Sequence, residues 1–206
     1  MFSNQKIWIY GASGHGKVVL DCLKANNNEF MGFIDDDQDK TEMIGYEVKR
    51  HTAIEIKHDQ VIFGIGDSKT RKFLAEKHPF NYSSVVHPTA TVSPYATIDK
   101  GTVVFHHSVI QSGTSIGKHC IINTKASVDH DCIIEDFVHI SPGAILCGNV
   151  QVGELSWIGT GSVIIQGIKI GKNVLIGAGS VIIRDVPDNA VVVGNPGKII
   201  KTNPGI

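Results

Sequence analysis

Two groups of residues in this chain could do chemistry. The first is the run Asn123-Thr124-Lys125-Ala126-Ser127-Val128-Asp129-His130-Asp131. A histidine titrates close to neutral pH and can take a proton from an attacking amine or hydroxyl. A carboxylate beside it, here Asp131, would orient the ring and raise its basicity. No serine or cysteine is partnered with His130 in a way that suggests a covalent intermediate. The second group is Gly11-Ala12-Ser13-Gly14-His15-Gly16-Lys17, set between the apolar run KIWIY and a helical pattern. Glycines at a helix start let backbone N–H groups approach a phosphate. The order G-x-S-G-x-G departs from the dinucleotide fingerprint G-x-G-x-x-G, so the loop alone is a weak signal. Asp35 stands at the end of the next strand, where a ribose hydroxyl would be held.

The elements that must position these groups differ sharply between the two parts of the chain. From Val86 to Ile182 every sixth residue is aliphatic, seventeen times without a slip: Val86, Val92, Ile98 and so on to Ile170, Ile176 and Ile182. At 42% hydrophobic content, one frame would do this by chance roughly once in a few million tries. The residue two places before each of these is usually small, and glycine follows at Gly117, Gly153, Gly159, Gly171 and Gly177. A period of six fits neither an amphipathic helix nor an alternating strand. It fits a parallel solenoid of triangular section, eighteen residues to a coil, with the aliphatic residue inside and the turn using glycine or a polar residue where φ is positive. Seventeen hexads make between five and six coils.

The period then acts as a ruler. His130 lies on a turn and points out of the prism. Eighteen residues on is Gly148, the same turn one coil later, so its N–H should lie about 5 Å from the histidine backbone. A base stacked against a bare backbone donor is what acyl transfer needs, the donor holding the developing oxyanion. His139 and Trp157 are also eighteen apart, and both project outward. Phe105, Ile121 and Trp157 are expected to form an exposed apolar strip suited to another subunit.

Residues 1–82 read as βαβ…βαβ: strands at Lys6–Tyr10, Glu29–Ile34 and 60–65, with helices after the glycine loop and at 69–77. This order suggests a small Rossmann-like parallel sheet, about half of a dinucleotide-binding fold. The 206 residues carry a net charge of −1 and 19% charged residues, which excludes a nucleic-acid or membrane-surface field. No apolar run is long enough for a membrane span. The start, MFSNQKIWIYG, does not read as a signal peptide, and the expected location is the cytoplasm. Cys120 and Cys132 read as small buried hydrophobes, with no disulfide framework.

Taken together, GASGHGK, FIDDD at 33–37 and FGIGDSKTR at 63–71, followed by the six-residue repeats, resemble the hexapeptide-repeat sugar O- and N-acyltransferases of the sialic-acid type. They most resemble the bacterial enzymes that N-acetylate nucleotide-linked 4-amino-4,6-dideoxy sugars, as in bacillosamine, viosamine and perosamine synthesis. The resemblance spans essentially the whole chain. It implies a Rossmann-like nucleotide-sugar domain at 1–82 and a left-handed parallel β-helix acetyltransferase domain with a C-terminal CoA-binding tail at 83–206. It implies acetyl-CoA as co-substrate, no metal, a homotrimer with active sites between subunits, and a role in bacterial surface glycan (lipopolysaccharide, O-antigen) synthesis. By position, Gly11, Ser13, Gly14 and His15 would line a pyrophosphate loop. Asp35 or Asp36, with Gly66 and Asp67, would approach the ribose and base. Asn123…His130-Asp131 matches the base motif Asn-x6-His-Asp/Glu. His139 matches a second family histidine at the acetyl or amine site, and Gly148 matches the donor to the acetyl carbonyl. Acetyl-CoA would run past Gly159, Thr160, Gly177 and Ala178. Its phosphates would meet Lys169, Lys172, Lys198 and Lys201. Lys198 ends a G-N-P-G-K loop where the family pattern has alanine before the lysine, at Gly197.

The runner-up activity is O-acetylation of a sugar by the same machinery. A zinc hydratase on a β-helix needs two histidines five positions apart, and this β-helix has none. A purely scaffolding β-helix is the remaining class.

Overall fold

A computed structural model of the chain describes residues 6–53 and 59–202. The expected domains also take in residues 1–5, 54–58 and 203–206, which lie outside the described residues. The N-terminal unit is a five-stranded sheet. Strand β1 (Lys6–Tyr10) sits between β2 (Glu29–Ile34) and β5 (Gln60–Phe63), both parallel to it. Strand β4 (Tyr46–Lys49) adds beyond β2, and β3 (Glu42–Met43) pairs antiparallel with β4. Continuous apolar runs such as IWIY suit strands covered on both faces. Helices α1 (Gly14–Ala25) and α2 (Ser68–Lys77) follow β1 and β5. The β3–β4 hairpin, turning at Ile44-Gly45 with φ of 43° and 80°, has no signal in the sequence reading. Strand β5 stops at Phe63, short of the expected 65. The chain must bend there because Gly64 meets Gly11 and Gly16: a Cβ on Gly64 would lie 2.6 Å from the Gly11 carbonyl oxygen.

From Val85 the chain climbs a three-sided parallel β-helix of two-residue strands. One face stacks Val85–Val86, Val103–Val104, Ile121–Ile122, His139–Ile140, Trp157–Ile158 and Leu175–Ile176. The second stacks Thr91–Val92 through Val181–Ile182, and the third Thr97–Ile98 through Lys169–Ile170. Register is eighteen residues throughout. The second residue of each strand points inward: Ile122, Val128, Ile140, Leu146, Ile158 and Ile164 are fully buried. Each is worth about 1.5–3 kcal/mol of burial. The small corner residues are there for more than space. Ser156 Oγ donates to the Gly171 carbonyl (2.7 Å) and accepts the Val174 N–H (2.9 Å). Thr102 Oγ1 does the same between Gly117 O and Cys120 N. One hydroxyl thus satisfies two buried backbone groups.

The left-handed corner is not where the glycines after the inward residues suggest. Gly117, Gly153, Gly159, Gly171 and Gly177 have ordinary φ. They are glycine because a Cβ would strike the next coil, as at Gly159, 2.4 Å from the Ile176 carbonyl oxygen. Positive φ falls instead three residues after each inward side chain, at Gly101, His107, Gly113, His119, Lys125, Asp131, Phe137 and onward every six to Gly179. Most of these are not glycine, and the stacked coils hold them there.

The N-terminal unit lies on the first face. Phe105, Ile121, Val103 and Val85 form one buried cluster with Ile7, Val19, Leu20, Cys22, Leu23 and Phe33. The expectation that Phe105 and Ile121 offer a subunit interface is therefore corrected: they are 0% and 1% exposed, covered by the chain's own α/β unit. A final antiparallel hairpin, Ala190–Val193 with Lys198–Thr202, closes the upper end of the first face. No helix among the described residues is long and apolar enough to cross a membrane.

Polar contacts add to the cluster between the two units: Asn26 Nδ2 donates to the Val86 carbonyl (2.8 Å), Lys72 pairs with Glu154 (2.7 Å), and Arg71 makes the largest set. Arg71 of α2 is 1% exposed. Its guanidinium donates to the carbonyls of His119 (Nε, 3.0 Å), Phe137 (Nη2, 2.9 Å), Gly66 (Nη1, 2.7 Å) and Ile65 (Nη1, 3.2 Å), and to Ser68 Oγ. Burial draws its pKa down only to about 10, so it stays charged at neutral pH. Arg71→Ala leaves four carbonyls short of a donor, at about 1–3 kcal/mol each where water cannot replace it. Urea unfolding should show a loss of at least about 3 kcal/mol. An unchanged midpoint would contradict this account of the junction.

Candidate active site

The second face of the β-helix carries a chemical column on each of its edges. On the edge after Val128, Asp131 takes the left-handed corner (φ 57°) and its Oδ2 lies 2.8 Å from His130 Nδ1. Asp129 accepts the His130 backbone N–H. The imidazole lies across Gly148: a Cβ there would sit 2.5 Å from His130 Nε2 and Cε1. The eighteen-residue stacking of base over glycine is thus present. Asn149 donates its N–H to the His130 carbonyl, which ties the two turns. No described residue accepts the Gly148 N–H. The His130 ring is solvent-exposed, and the Asp131 hydrogen bond raises its pKa above the usual histidine value.

The other edge stacks Asn123, Ser141, Gly159 and Gly177. Here His139 is buried, 5% exposed, beneath the N-terminal unit instead of facing solvent. Its ring stacks on Trp157 at 4.7 Å and lies 6.3 Å from the ring of His15. Asn123 Oδ1 accepts the Thr124 N–H (2.8 Å), so its amide nitrogen faces His139 Nε2 (3.0 Å). The neutral ring therefore keeps its proton on Nδ1, a buried atom beside the Gly66 backbone. Burial, aided by Arg71 and His15, lowers the His139 pKa to about 3. Burial and Arg71 lower that of His15 to about 4. Both rings are neutral at pH 7. Thr160 and Ala178 are exposed on this same edge, above Asn123. Lys198 is exposed on the final hairpin.

Asn123 and His130 are therefore not neighbours. One side of the prism separates them, on the order of 15–20 Å for six residues near full extension. The lysines are divided as well. Lys169 and Lys172 lie on the third face beside Asp185 and Asp188, and Lys172 pairs with Glu135 at 3.8 Å. They do not cluster with Lys198 and Lys201.

In the α/β unit a cavity of about 390 Å3 opens between the glycine loop and the ends of β2 and α2, lined by Tyr10, Gly11, Ser13, Asp35, Lys40 and Phe73 among others. Gly11 does not offer its N–H to an anion, because the sheet uses it: it donates to Ile34 O at 2.7 Å. Ala12 N–H goes to Asp35 Oδ2 (2.8 Å), which also pairs with Lys40 (2.9 Å). Ser13 precedes α1, and Gly14 has open space around it. The first-turn N–H groups there have no intrahelical partner and keep the positive helix end. His15 begins α1, but its ring packs edge-on against Phe105 at 5.3 Å, toward the β-helix. Asp36 accepts the Tyr10 hydroxyl (2.6 Å). Gly66 is an acceptor for Arg71. Asp67 is engaged as the cap of α2, accepting both the Thr70 N–H and its hydroxyl. Tyr10, Lys40 and Phe73 were absent from the sequence reading; nothing in their spacing marks them.

Residues 6–78 match the PglD N-terminal domain, and residues 149–184 match the bacterial transferase hexapeptide of six repeats. The acetyltransferase domain of PglB from Neisseria gonorrhoeae, solved in complex with acetyl coenzyme A, is 37% identical and superposes with a TM-score of 0.89 over 96% of this chain and 100% of that one. PerB from Caulobacter crescentus, solved with CoA and GDP-perosamine, is 33% identical with a TM-score of 0.90 over 98% of this chain and 99% of its own. UDP-N-acetylbacillosamine N-acetyltransferase of Bacillus subtilis is 38% identical over 110 residues, 48% of this chain and 51% of that protein. The chain thus matches about half the length of that curated relative. The solenoid is the left-handed β-helix of the hexapeptide-repeat acetyltransferases.

The two edges carry opposite electrostatics, and NMR titration of the histidine Cε1 protons should resolve them. His130 should titrate above 6.5, and Asp131→Asn should lower its midpoint by removing the charged acceptor. His15 and His139 should stay neutral to below about pH 5. A His130 midpoint unmoved by Asp131→Asn would remove the carboxylate from the site.

Proposed function

The chain belongs to the hexapeptide-repeat sugar acetyltransferases with a PglD N-terminal domain, and we propose that it transfers the acetyl group of acetyl-CoA to the C4 amine of a nucleotide-linked 4-amino-4,6-dideoxyhexose. The observation that carries this reading is the His130 imidazole lying over Gly148 with Asp131 on its far nitrogen. As the neutral amine attacks the thioester, a C–N bond forms and the C–S bond breaks. His130 Nε2 takes the proton shed by nitrogen and passes it to the departing CoA thiolate. The Gly148 N–H faces the oxygen that gains charge. Asp131 keeps the ring proton on Nδ1, so Nε2 is free as base. The step is direct, with no acyl-enzyme. Because Asp131 raises the His130 pKa, activity rises with pH as that group loses its proton.

The cleft of the α/β unit is assigned to the nucleotide: Ser13 and Gly14 at the diphosphate, Asp35 and Asp36 at the ribose or base. His139, neutral, is assigned to the sugar amine or acetyl side, beside Asn123. The edge at Gly159, Thr160, Gly177 and Ala178 is assigned to the pantetheine arm, with Lys198 near the phosphates. Relatives named as N-acetyltransferases of nucleotide-linked sugars support an amine acceptor over a hydroxyl. We propose that this reaction serves bacterial surface glycan synthesis and takes place in the cytoplasm.

We propose a trimer, a reading that the bare second face supports. The second face presents Val109, Ile145, Val163 and Val181 outward, with Ile145 44% exposed. Packing three such faces about an axis would set the His130 edge of one subunit against the Asn123–His139 edge of the next, closing the gap that one chain leaves open.

Protein incubated with acetyl-CoA and a panel of nucleotide-linked 4-amino sugars should release CoA thiol. His130→Ala should lower kcat by about 10²–10⁴-fold with KM nearly unchanged. Release with a free sugar but with no nucleotide-linked one would overturn the acceptor assignment. Ile145→Glu should give monomers in light scattering and lose activity together; an active monomer would overturn the shared site.

A further inference from the structure

At the mouth of the α/β cleft three potential metal ligands converge, two of them histidines that acetyl transfer does not require. Asp36 follows β2, His51 follows β4 and His78 follows α2, so three separate loops meet. His51 Nδ1 lies 2.6 Å from Asp36 Oδ1, and the ligand atoms of Asp36, His51 and His78 all lie within 4.8 Å of one another. The His51 and His78 rings are 4.6 Å apart. His78 Nε2 is buried with no hydrogen-bond partner, which is costly for a polar atom unless something fills the place. We propose that Asp36, His51 and His78 form a binding site for a divalent transition metal of the zinc class.

The donor set supports this choice. Two imidazoles and one carboxylate suit zinc, cobalt or nickel over magnesium or calcium, which take oxygen ligands. Three protein ligands leave a fourth position for water or an incoming group. Tetrahedral zinc with bonds of about 2.0 Å needs ligand atoms about 3.3 Å apart, so the widest pair must close by up to about 1.5 Å. The surroundings are those of a supported site. The Tyr10 hydroxyl donates to Asp36 Oδ2 (2.6 Å) and would hold the carboxylate in place. Phe80 stacks on His78 at 5.3 Å, and Tyr10 stacks beside His51 at 6.3 Å, giving an aromatic wall. A bound ion would tie three loops across the cleft and would occupy one oxygen of Asp36.

The test is direct binding by the full chain, stripped of metal and without either substrate, so its failure leaves the acetyl-transfer reading untouched. Titration with Co2+ followed by visible ligand-field absorption, and with Zn2+ by calorimetry, should give one ion per chain with Kd tighter than about 10 μM. His51→Ala and His78→Ala should each weaken binding at least about tenfold. His107→Ala, on an exposed corner of the β-helix, should not change it. Half-exposed His51 makes its replacement a test of the ligand and not of folding. Less than half an ion per chain, or binding unchanged in both His51→Ala and His78→Ala, would overturn the site.

Discussion

A buried guanidinium, set beside the apolar cluster that the two units share, is the polar centre of the junction that makes this protein one object. Arg71 has no carboxylate partner within hydrogen-bond reach among the described residues; four carbonyls and a hydroxyl surround it instead. Two of those carbonyls, of His119 and Phe137, belong to one corner of the β-helix. Two more, of Ile65 and Gly66, belong to the loop after β5. The planar fork of arginine reaches all of them at once, which a lysine ammonium could not. The junction has a second effect. Burial between the two units, with Arg71 as a lesser contribution, keeps His15 and His139 neutral. The junction that holds the α/β unit on the first face thus also favours the neutral form of the histidines trapped in it.

That fastening decides where the site can be. The α/β unit covers the first face, the third face presents Thr97, Ser115, Gln151 and Lys169 beside one exposed isoleucine, Ile133, and the second face is left bare. Only the edges of the second face carry candidate chemistry, with a raised, exposed His130 on one and a lowered, buried His139 on the other. These are opposite solutions to the titration of histidine: a hydrogen bond to a carboxylate favours the charged ring, and burial beside a cation disfavours it.

The β-helix was legible in the sequence because its constraint is local and repeats. Each coil buries one aliphatic residue per side, so a slip of frame would expose a whole row. The His130–Gly148 stack followed from the same period. The period does not say what lies on the outside of each face. Phe105, Ile121 and His139 were read as facing outward from the prism, which holds, but the cover came from residues 7–33 of the same chain, a contact with no trace in spacing. Arg71 escaped notice because an arginine in a polar helix start looks solvated. The true left-handed corners were missed because they are held by stacking and carry His, Lys, Asp or Phe as often as glycine. The cleft residues Tyr10, Lys40 and Phe73 come from three distant elements and share no pattern.

The central claim is that one active site takes His130 and Gly148 from one subunit and His139 with Asn123 from the next. Mixed trimers test it most directly. His130→Ala and His139→Leu chains, each inactive alone, should be unfolded together, refolded as an equal mixture and assayed for acetyl transfer. If the site is shared, about one interface in four carries both native residues, and activity should return to about a quarter of the wild-type rate. If the mixture shows no more than the sum of its inactive parents, the two histidines serve a site within one chain and the account is wrong.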